Sequence, residues 1–460
     1  MAGLEAGVAG ADEHATAHGV QAGCSPDQSA EQSAEQVDAA RDTLTERIRE
    51  RAYALGFDLA RFTTADPFPQ AEAALKHAIG DGLMDGLDWF TADRAEVASH
   101  PQALLPTART VIALGTFYLT DAPRDLTTPG DPHGRLSCYA WGDDYHEVIR
   151  QRLDQLAAFI RELAPPNDPA MQKTIPFVDT GRMVDRAAAQ RSGLGWYGKN
   201  TNILTKGWGS WVFLAELVTS LDLTPDSTLA ANCGQCEVCL HACPTNAFVA
   251  PYVLDMRRCI SYLTIELRGA IPLELRPLIG AHIFGCDICQ EVCPVNRVAE
   301  RRLRAAPTPG PSPAAAGEGG LASPYGDAGE GRLAASATQA RRARLEFQPR
   351  VAVGSSPALL PLLALDEEGF RERFRHSPIK RAKRRGLLRN VCVALGNIGD
   401  PVAIPALCET LAHEAEPLVR GHAAWALGRL GGEQASAALA RAATDDLDDG
   451  VRAEAACALG

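Results

Sequence analysis

Cys233, Cys236, Cys239 and Cys243, followed at once by Pro244, set the spacing C-x2-C-x2-C-x3-C-P, and nothing else in the chain restricts the fold as much. Three thiolates at that spacing wrap one iron–sulfur cube, while the fourth points away towards a second cluster. The proline ends the local turn and blocks its continuation as helix. A second, incomplete copy follows: Cys286, Cys289 and Cys293 with Pro294 lack a first position, and Cys259 is the unassigned cysteine between the two runs. Swapping the fourth ligands gives a consistent set. One 4Fe–4S cluster takes Cys233, Cys236, Cys239 and Cys293, and the other takes Cys243, Cys259, Cys286 and Cys289. Paired C-x2-C runs also hold structural zinc, but the tight triplet closed by Cys-Pro favours iron and sulfur.

The rest of the composition narrows the setting. Of 13 cysteines, eight fall between Cys233 and Cys293, a clustering that points to metal rather than to a disulfide scaffold. The N-terminus has neither the basic start nor the apolar middle of a secretory signal, and no apolar run is long enough for a membrane span. The expectation is a cytoplasmic protein with no membrane partner, its thiols kept reduced. A formal net charge of −12 excludes a surface that binds nucleic acid everywhere, yet leaves room for a local basic patch.

Residues 1–41 have few large apolar side chains and read as a disordered extension. From Leu44 an amphipathic helix leads, through a Gly56-Phe57 break, to a strand over residues 59–63. The apolar run 111–118 predicts a buried strand. In the helix Tyr145–Leu163, Ile149, Leu153, Leu156, Ile160 and Leu163 share one face. Residues 174–178 and 211–218 predict further strands, and the alternation predicts an α/β domain over 42–225. The ferredoxin-like two-cluster module follows over 226–300, then a Pro-, Gly- and Ala-rich linker over 301–350. Residues 351–460 hold a basic segment and HEAT-like all-α repeats. Ala394-Leu395-Gly396, Ala426-Leu427-Gly428 and Ala458-Leu459-Gly460 recur every 32 residues, each preceded by an arginine, Arg389, Arg420 or Arg452. So few repeats cannot stand alone, and the block is expected to dock on the rest.

Two adjacent clusters conduct single electrons without naming a substrate. Longer stretches carry a resemblance: PFVDTGRMVDRAAAQRSGLGWYGKN from Pro176, RRCISYLTIELRGAI from Arg257, WGDDYH from Trp141 and SPIKRAKRRGLLRN from Ser377. With the cysteine runs, the chain resembles the epoxyqueuosine reductases over roughly 42–300 and 355–460. The resemblance implies a cobalamin-binding α/β domain and an oxidoreductase fed through two 4Fe–4S clusters. Reduced cobalt acts on the epoxide of a modified wobble base in tRNA, whose oxygen leaves as water. It also implies, as partners, tRNA bearing epoxyqueuosine and an external electron donor; nothing demands more than a monomer.

On the same resemblance Asp179 is the proton donor and a cofactor contact. A carboxyl packed against an apolar corrin face would have its pKa raised towards neutrality. Standing between a strand and a helix, Asp179 is otherwise read as an N-cap. Ser261, Ile203 and Leu214 match corrin-lining positions, with ordinary core as the competing reading for the last two. Ser137 or Cys138 falls near the position facing cobalt. Relatives carry an arginine where this chain has Ala98, and Arg94 is the nearest candidate. Lys199 and Asn200 follow a glycine-rich turn that could meet phosphate or cofactor amides.

Residues 371–389 contain nine Lys or Arg against the single acid Glu372. Lys380, Arg381, Lys383, Arg384 and Arg385 are the expected tRNA contacts. Two other readings stand beside the first. One is a related corrinoid reductase of the dehalogenase kind; the other is a non-catalytic iron–sulfur electron carrier on a HEAT-like scaffold.

Overall fold

The structure, a computed structural model, describes residues 26–164, 173–179, 181–305 and 345–460. Most of the expected linker and the first 25 residues therefore lie outside the described residues. Helix α1, Pro26–Ala54, starts well before the expected boundary at 42. Its Ala, Gln and Glu residues are good helix formers even without an apolar face, and Pro26 suits a first position. Only the later turns dock: Thr45, Ile48 and Ala52 are buried, and Arg49 pairs with Asp226 at 3.0 Å.

Four strands form one sheet: β1 (Leu59–Thr64), β2 (Thr110–Phe117), β3 (Thr174–Phe177) and β4 (Val212–Thr219), in the order β1-β2-β4-β3. Every pairing is antiparallel. The strand–helix alternation along the chain thus does not translate into the parallel sheet of an α/β domain. Helices still cover both faces, which explains why β2 is buried at every position and shows no polar alternation. Ile112, Leu114, Phe213, Ala215 and Leu217 pack in the main core with Ile149, Leu153, Leu156 and Ile160 of helix α2, Tyr145–Leu163. The alternate residues Val111, Ala113 and Val218 face helix α3, Asp185–Arg191, through Ala187, Ala188 and Ala189.

In the cysteine module the two prolines act differently. Pro244 follows the short helix Val238–Ala242 and ends it. Pro294 instead opens the helix Pro294–Ala305, where its missing N–H costs nothing. The module joins the sheet domain where His282–Phe284 pairs in parallel with Arg135–Leu136.

The C-terminal block stacks helices α4 (Lys383–Ile398), α5 (Ile404–His413), α6 (Pro417–Leu430), α7 (Glu433–Asp445) and α8 (Asp449–Leu459). The repeated glycines have a packing reason. A Cβ on Gly396 would come within 2.9 Å of Ala426 Cα, and one on Gly428 within 2.8 Å of Ala458. Only glycine lets α4, α6 and α8 approach so closely. The block docks on the cysteine module through Asn390, which donates to the Thr264 and Ile283 carbonyls at 2.8 Å, and through Arg276, which pairs with Glu454 at 2.6 Å. Among the described residues no helix is long and apolar enough to cross a membrane.

Candidate active site and cluster thiols

The eight thiols fall into two sets. Burial raises Cys239 to about 11, and Cys293, Cys233 and Cys236 add to the shift. Cys293 is likewise raised by burial, then by Cys233 and Cys236. Burial also raises Cys259, which feels Cys243, and Cys286, which feels Cys259 and Cys243. Cys289 feels Cys286 and Cys259, and more weakly Cys239, so the two sets adjoin. Cys293 thus sits with the first run and Cys243 with the second. Thiols raised in this way stay protonated until a metal displaces the proton. Among the described residues no three His, Cys, Asp or Glu side chains converge closely enough for one bare ion.

The second set touches the sheet domain. Asp287, beside Cys286, accepts from Ser137 Oγ at 2.5 Å and from the Cys138 amide at 2.7 Å. Both residues are buried, and burial with the Asp287 charge pushes the Cys138 thiol up. Ser261 lies two residues after Cys259 in the helix Ile260–Ile265. Ile203 and Leu214 pack in one apolar cluster with Ala113, Ala189, Leu194 and Tyr197. Lys199 and Asn200 face the cysteine loops instead of open space: Lys199 Nζ meets Glu237 at 3.3 Å, and Asn200 Nδ2 donates to the Cys289 carbonyl.

Asp179 is not an N-cap. Helix α3 starts at Asp185 with Val184 as its cap, and Asp179 itself has φ +49°, a left-handed conformation that non-glycine residues rarely adopt. Arg94 braces this loop by donating to the Gly181 carbonyl at 3.0 Å. The Asp179 carboxylate accepts from Tyr145 Oη at 2.5 Å and lies 3.6 Å from His146 Nε2, with 64% of its side chain open to solvent. Its pKa runs opposite to the expectation of a raised value. Desolvation by the groups packed around it pushes it up, but the contact with His146, the hydrogen bond from Tyr145 and the positive charges of His146 and Arg186 outweigh this and hold it below the ordinary carboxylate value.

Tyr145, His146 and Asp144 belong to the WGDDYH stretch, which sequence reasoning quoted without giving them roles. Asp144 caps α2 by accepting from the His146 amide. Asp144 Oδ1 lies 2.8 Å from His146 Nδ1 and its Oδ2 lies 2.7 Å from Lys380 Nζ. The signal available was an Asp-Tyr-His run opening a helix, where cap and site coincide. A further pair was not foreseen. Asp185 and Glu216 face each other, carboxyl to carboxyl, and burial raises Asp185 to about 6 and Glu216 well above its usual value. Asp185 Oδ1 and both Glu216 oxygens are buried, and no N–H or O–H among the described residues reaches them. Such a contact holds only if a proton is shared.

The basic stretch divides. Lys383 and Arg385 are exposed. Arg381 pairs with Glu266, and Lys380 with Asp144. Arg384 is mostly buried against Glu414 at 2.6 Å, and Arg389 is 1% exposed. Beside Lys380 an open groove of ≈ 590 Å³ is lined by Phe370, Arg371, Phe374 and Arg375, with Glu368 and Glu372.

Comparison with known proteins matches three family models: a 4Fe-4S double cluster binding domain over 232–296, "Epoxyqueuosine reductase QueG, DUF1730" over 99–180 and HEAT repeats over 380–460. Epoxyqueuosine reductase of Pseudomonas aeruginosa is 39% identical over 390 residues, covering 83% of this chain and 93% of the relative. That of Bacillus subtilis is 34% identical over 386 residues, covering 83% and 86%. A crystal structure of epoxyqueuosine reductase with an epoxyqueuosine-modified tRNA-Tyr stem loop matches with TM-score 0.74 and 32% identity over 91% of this chain and 98% of that one. The Streptococcus thermophilus enzyme matches with TM-score 0.71 and 28% identity over 90% and 97%.

Proposed function

This chain belongs to the epoxyqueuosine reductase family, and we infer that it is the oxidoreductase that reduces epoxyqueuosine to queuosine in tRNA. A bound stem loop in a related structure supports tRNA as its substrate, and the double-cluster domain supports iron–sulfur electron transfer. The wobble base, flipped out of its stack, is the part of the tRNA that reacts.

Cys233, Cys236, Cys239 and Cys293 hold one 4Fe–4S cluster, and Cys243, Cys259, Cys286 and Cys289 the other. The neighbour relations of their thiols support this crossed set. Cobalamin is the second cofactor. The donor set suits it: an apolar face of Ala113, Ile203 and Leu214 adjoins the buried Asp185–Glu216 pair, whose one shared proton leaves carboxyl oxygens without a donor, and a corrin offers both apolar ring and amide N–H groups. Ser137, Ser261, Ile203, Leu214 and Asp179 are its contacts. Bound cobalamin would supply the low-potential electron pair that opens the epoxide. Asp179 gives a proton to the departing oxygen, with Tyr145 fixing the carboxylate's orientation.

One observation carries the reading. Tyr145, which donates to Asp179, meets the ring of Tyr139 at 5.9 Å. The same turn is held at Ser137 and Cys138 by Asp287 beside Cys286, so the acid and the second thiol set border one compartment. The test is conversion of epoxyqueuosine-bearing tRNA by anaerobically prepared holoprotein. Conversion by the natural chain and its loss in Asp179→Ala, with iron and corrinoid content intact, is expected. Iron without corrinoid, and no conversion, would return the chain to the electron-carrier reading.

A further inference from the structure

Removing an epoxide oxygen as water breaks two C–O bonds and consumes two electrons and two protons. The clusters supply the electrons, but a single carboxyl carries one proton at a time. Resting on the reductase reading, we propose that His146 is the proton-supplying partner of Asp179: a positioning residue that holds the pair's proton, passes it through Asp179 to the leaving oxygen and is recharged for the second transfer.

The geometry is that of a relay. His146 Nε2 is buried, has no hydrogen-bond partner within normal distance among the described residues, and points at Asp179 Oδ2 from 3.6 Å. The opposite ring nitrogen is fixed by Asp144 at 2.8 Å. Because ionised Asp144 can only accept, Nδ1 must donate to it, which leaves Nε2 as the site of the mobile proton. Asp144 is in turn held by Lys380, whose side chain is 48% exposed and reaches solvent. The chain Lys380–Asp144–His146–Asp179 thus runs from the surface to the acid.

The surrounding charges favour the proton on the ring. From α2 come Asp144, Tyr145 and Glu147; from the loop after β3 comes Asp179; from the segment before α4 come His376, Lys380 and Arg381. Arg186 faces Asp179 from α3. Burial opposes the imidazolium, yet its hydrogen bond with Asp144 and its charge interactions with Asp144 and Asp179 raise His146 to about 9. Asp179 is held low by the same contact. At neutral pH the pair keeps its proton on His146 and releases it to Asp179 only as negative charge develops on the substrate oxygen. The ring, left as the Nδ1–H tautomer on Asp144, regains its proton at Nε2 through Asp179, whose carboxylate is open to solvent.

The test is single-turnover conversion of an epoxyqueuosine stem loop by the full holoprotein across pH 5.5–9.5, with reductant in excess. The natural chain should keep a level rate through neutrality and lose it above about pH 9, where His146 discharges. His146→Gln should be roughly 10²-fold slower at neutral pH and gain about tenfold per unit of acidification, because Asp179 must then take its proton from solution. Added imidazole should restore part of the rate, with iron, corrinoid and stem-loop affinity unchanged. Should His146→Gln fail to load its cofactors, Asp144→Asn decides, since loss of that anion should move the alkaline limb to lower pH. Profiles parallel to the natural chain in the variant that loads would overturn the proposal while leaving the reductase reading intact. A natural chain that converts nothing would overturn both.

Discussion

Arg389 Nη2 donates to the Leu263 carbonyl at 2.6 Å, and Nη1 serves the carbonyls of Leu267 and Gly269 at 2.8 and 2.7 Å. One guanidinium thus gathers the chain end of the helix that follows Cys259 and fastens it to the first repeat. No other side chain offers so many donors in a rigid fork. Arg389→Ala should destabilise the protein by about 3 kcal/mol, because buried carbonyls lose their partners. Arg389→Lys should recover only part of this. Urea unfolding of the holoprotein measures both, and an Arg389→Ala midpoint equal to that of the natural chain would sink the docking role.

The crossed thiol sets make a prediction that a simple run-by-run assignment does not. If Cys293 ligates with Cys233, the double substitution Cys233→Ala/Cys293→Ala removes one cluster and leaves about four irons per chain. Cys286→Ala/Cys293→Ala should instead damage both clusters and leave close to none. Iron analysis of anaerobic preparations, with electron paramagnetic resonance of the surviving cluster, reads the difference. The reverse pattern would restore the uncrossed pairing.

These two cases show what the sequence makes legible. The cysteine runs are local: ligand spacing is written in consecutive residues, so it can be read without the fold. The helix Tyr145–Leu163 is equally legible, since its apolar stripe is periodic. The antiparallel order of the sheet is not, because β2 and β4 pair across about a hundred residues and both are buried on both faces, with no alternation to mark their partners. Arg385 and Arg389 lie one turn apart on the same side of α4, yet the first is exposed and the second buried. What separates them is the segment 263–269 packed over the later turn, a contact no periodicity announces. His146 was overlooked for the same reason, as its partner Asp179 stands in a different element.

The buried Asp185–Glu216 pair should leave a mark on stability. A carboxyl whose folded pKa is raised binds its proton more tightly folded than unfolded, so stability is greatest in acid and falls as pH rises past the unfolded value. For Asp185 that decline runs from its ordinary 3.8 up to about 6, and Glu216 extends it upward. Glu216→Gln keeps the shape and replaces the shared proton with an amide N–H that cannot be lost. The variant should therefore be more stable than the natural chain by about 1–2 kcal/mol at pH 8, with the gap closing towards pH 5. Thermal midpoints of the holoprotein across that range test it; curves that stay parallel would show the pair does not share a proton.

The five cations expected at the tRNA are not equivalent, and the difference can be measured. Lys383 and Arg385 project from the start of α4 without an ion pair among the described residues, so both remain available to phosphate. Replacing both with Ala should weaken stem-loop binding and reduce the slope of log affinity against log salt by roughly 1.5, about 0.7–0.9 per lost contact. Stability should hardly change. Arg384 behaves oppositely. Its guanidinium grips Glu414 with two hydrogen bonds, at 3.0 and 2.6 Å, and the Leu365 carbonyl at 2.7 Å, with little of either side chain exposed. Arg384→Ala leaves Glu414 buried without a counter-charge and should cost roughly 2–3 kcal/mol of stability, while the salt slope of the folded protein stays put. A salt slope that falls for Arg384→Ala, or holds for the Lys383/Arg385 pair, would move the RNA contact elsewhere on the molecule.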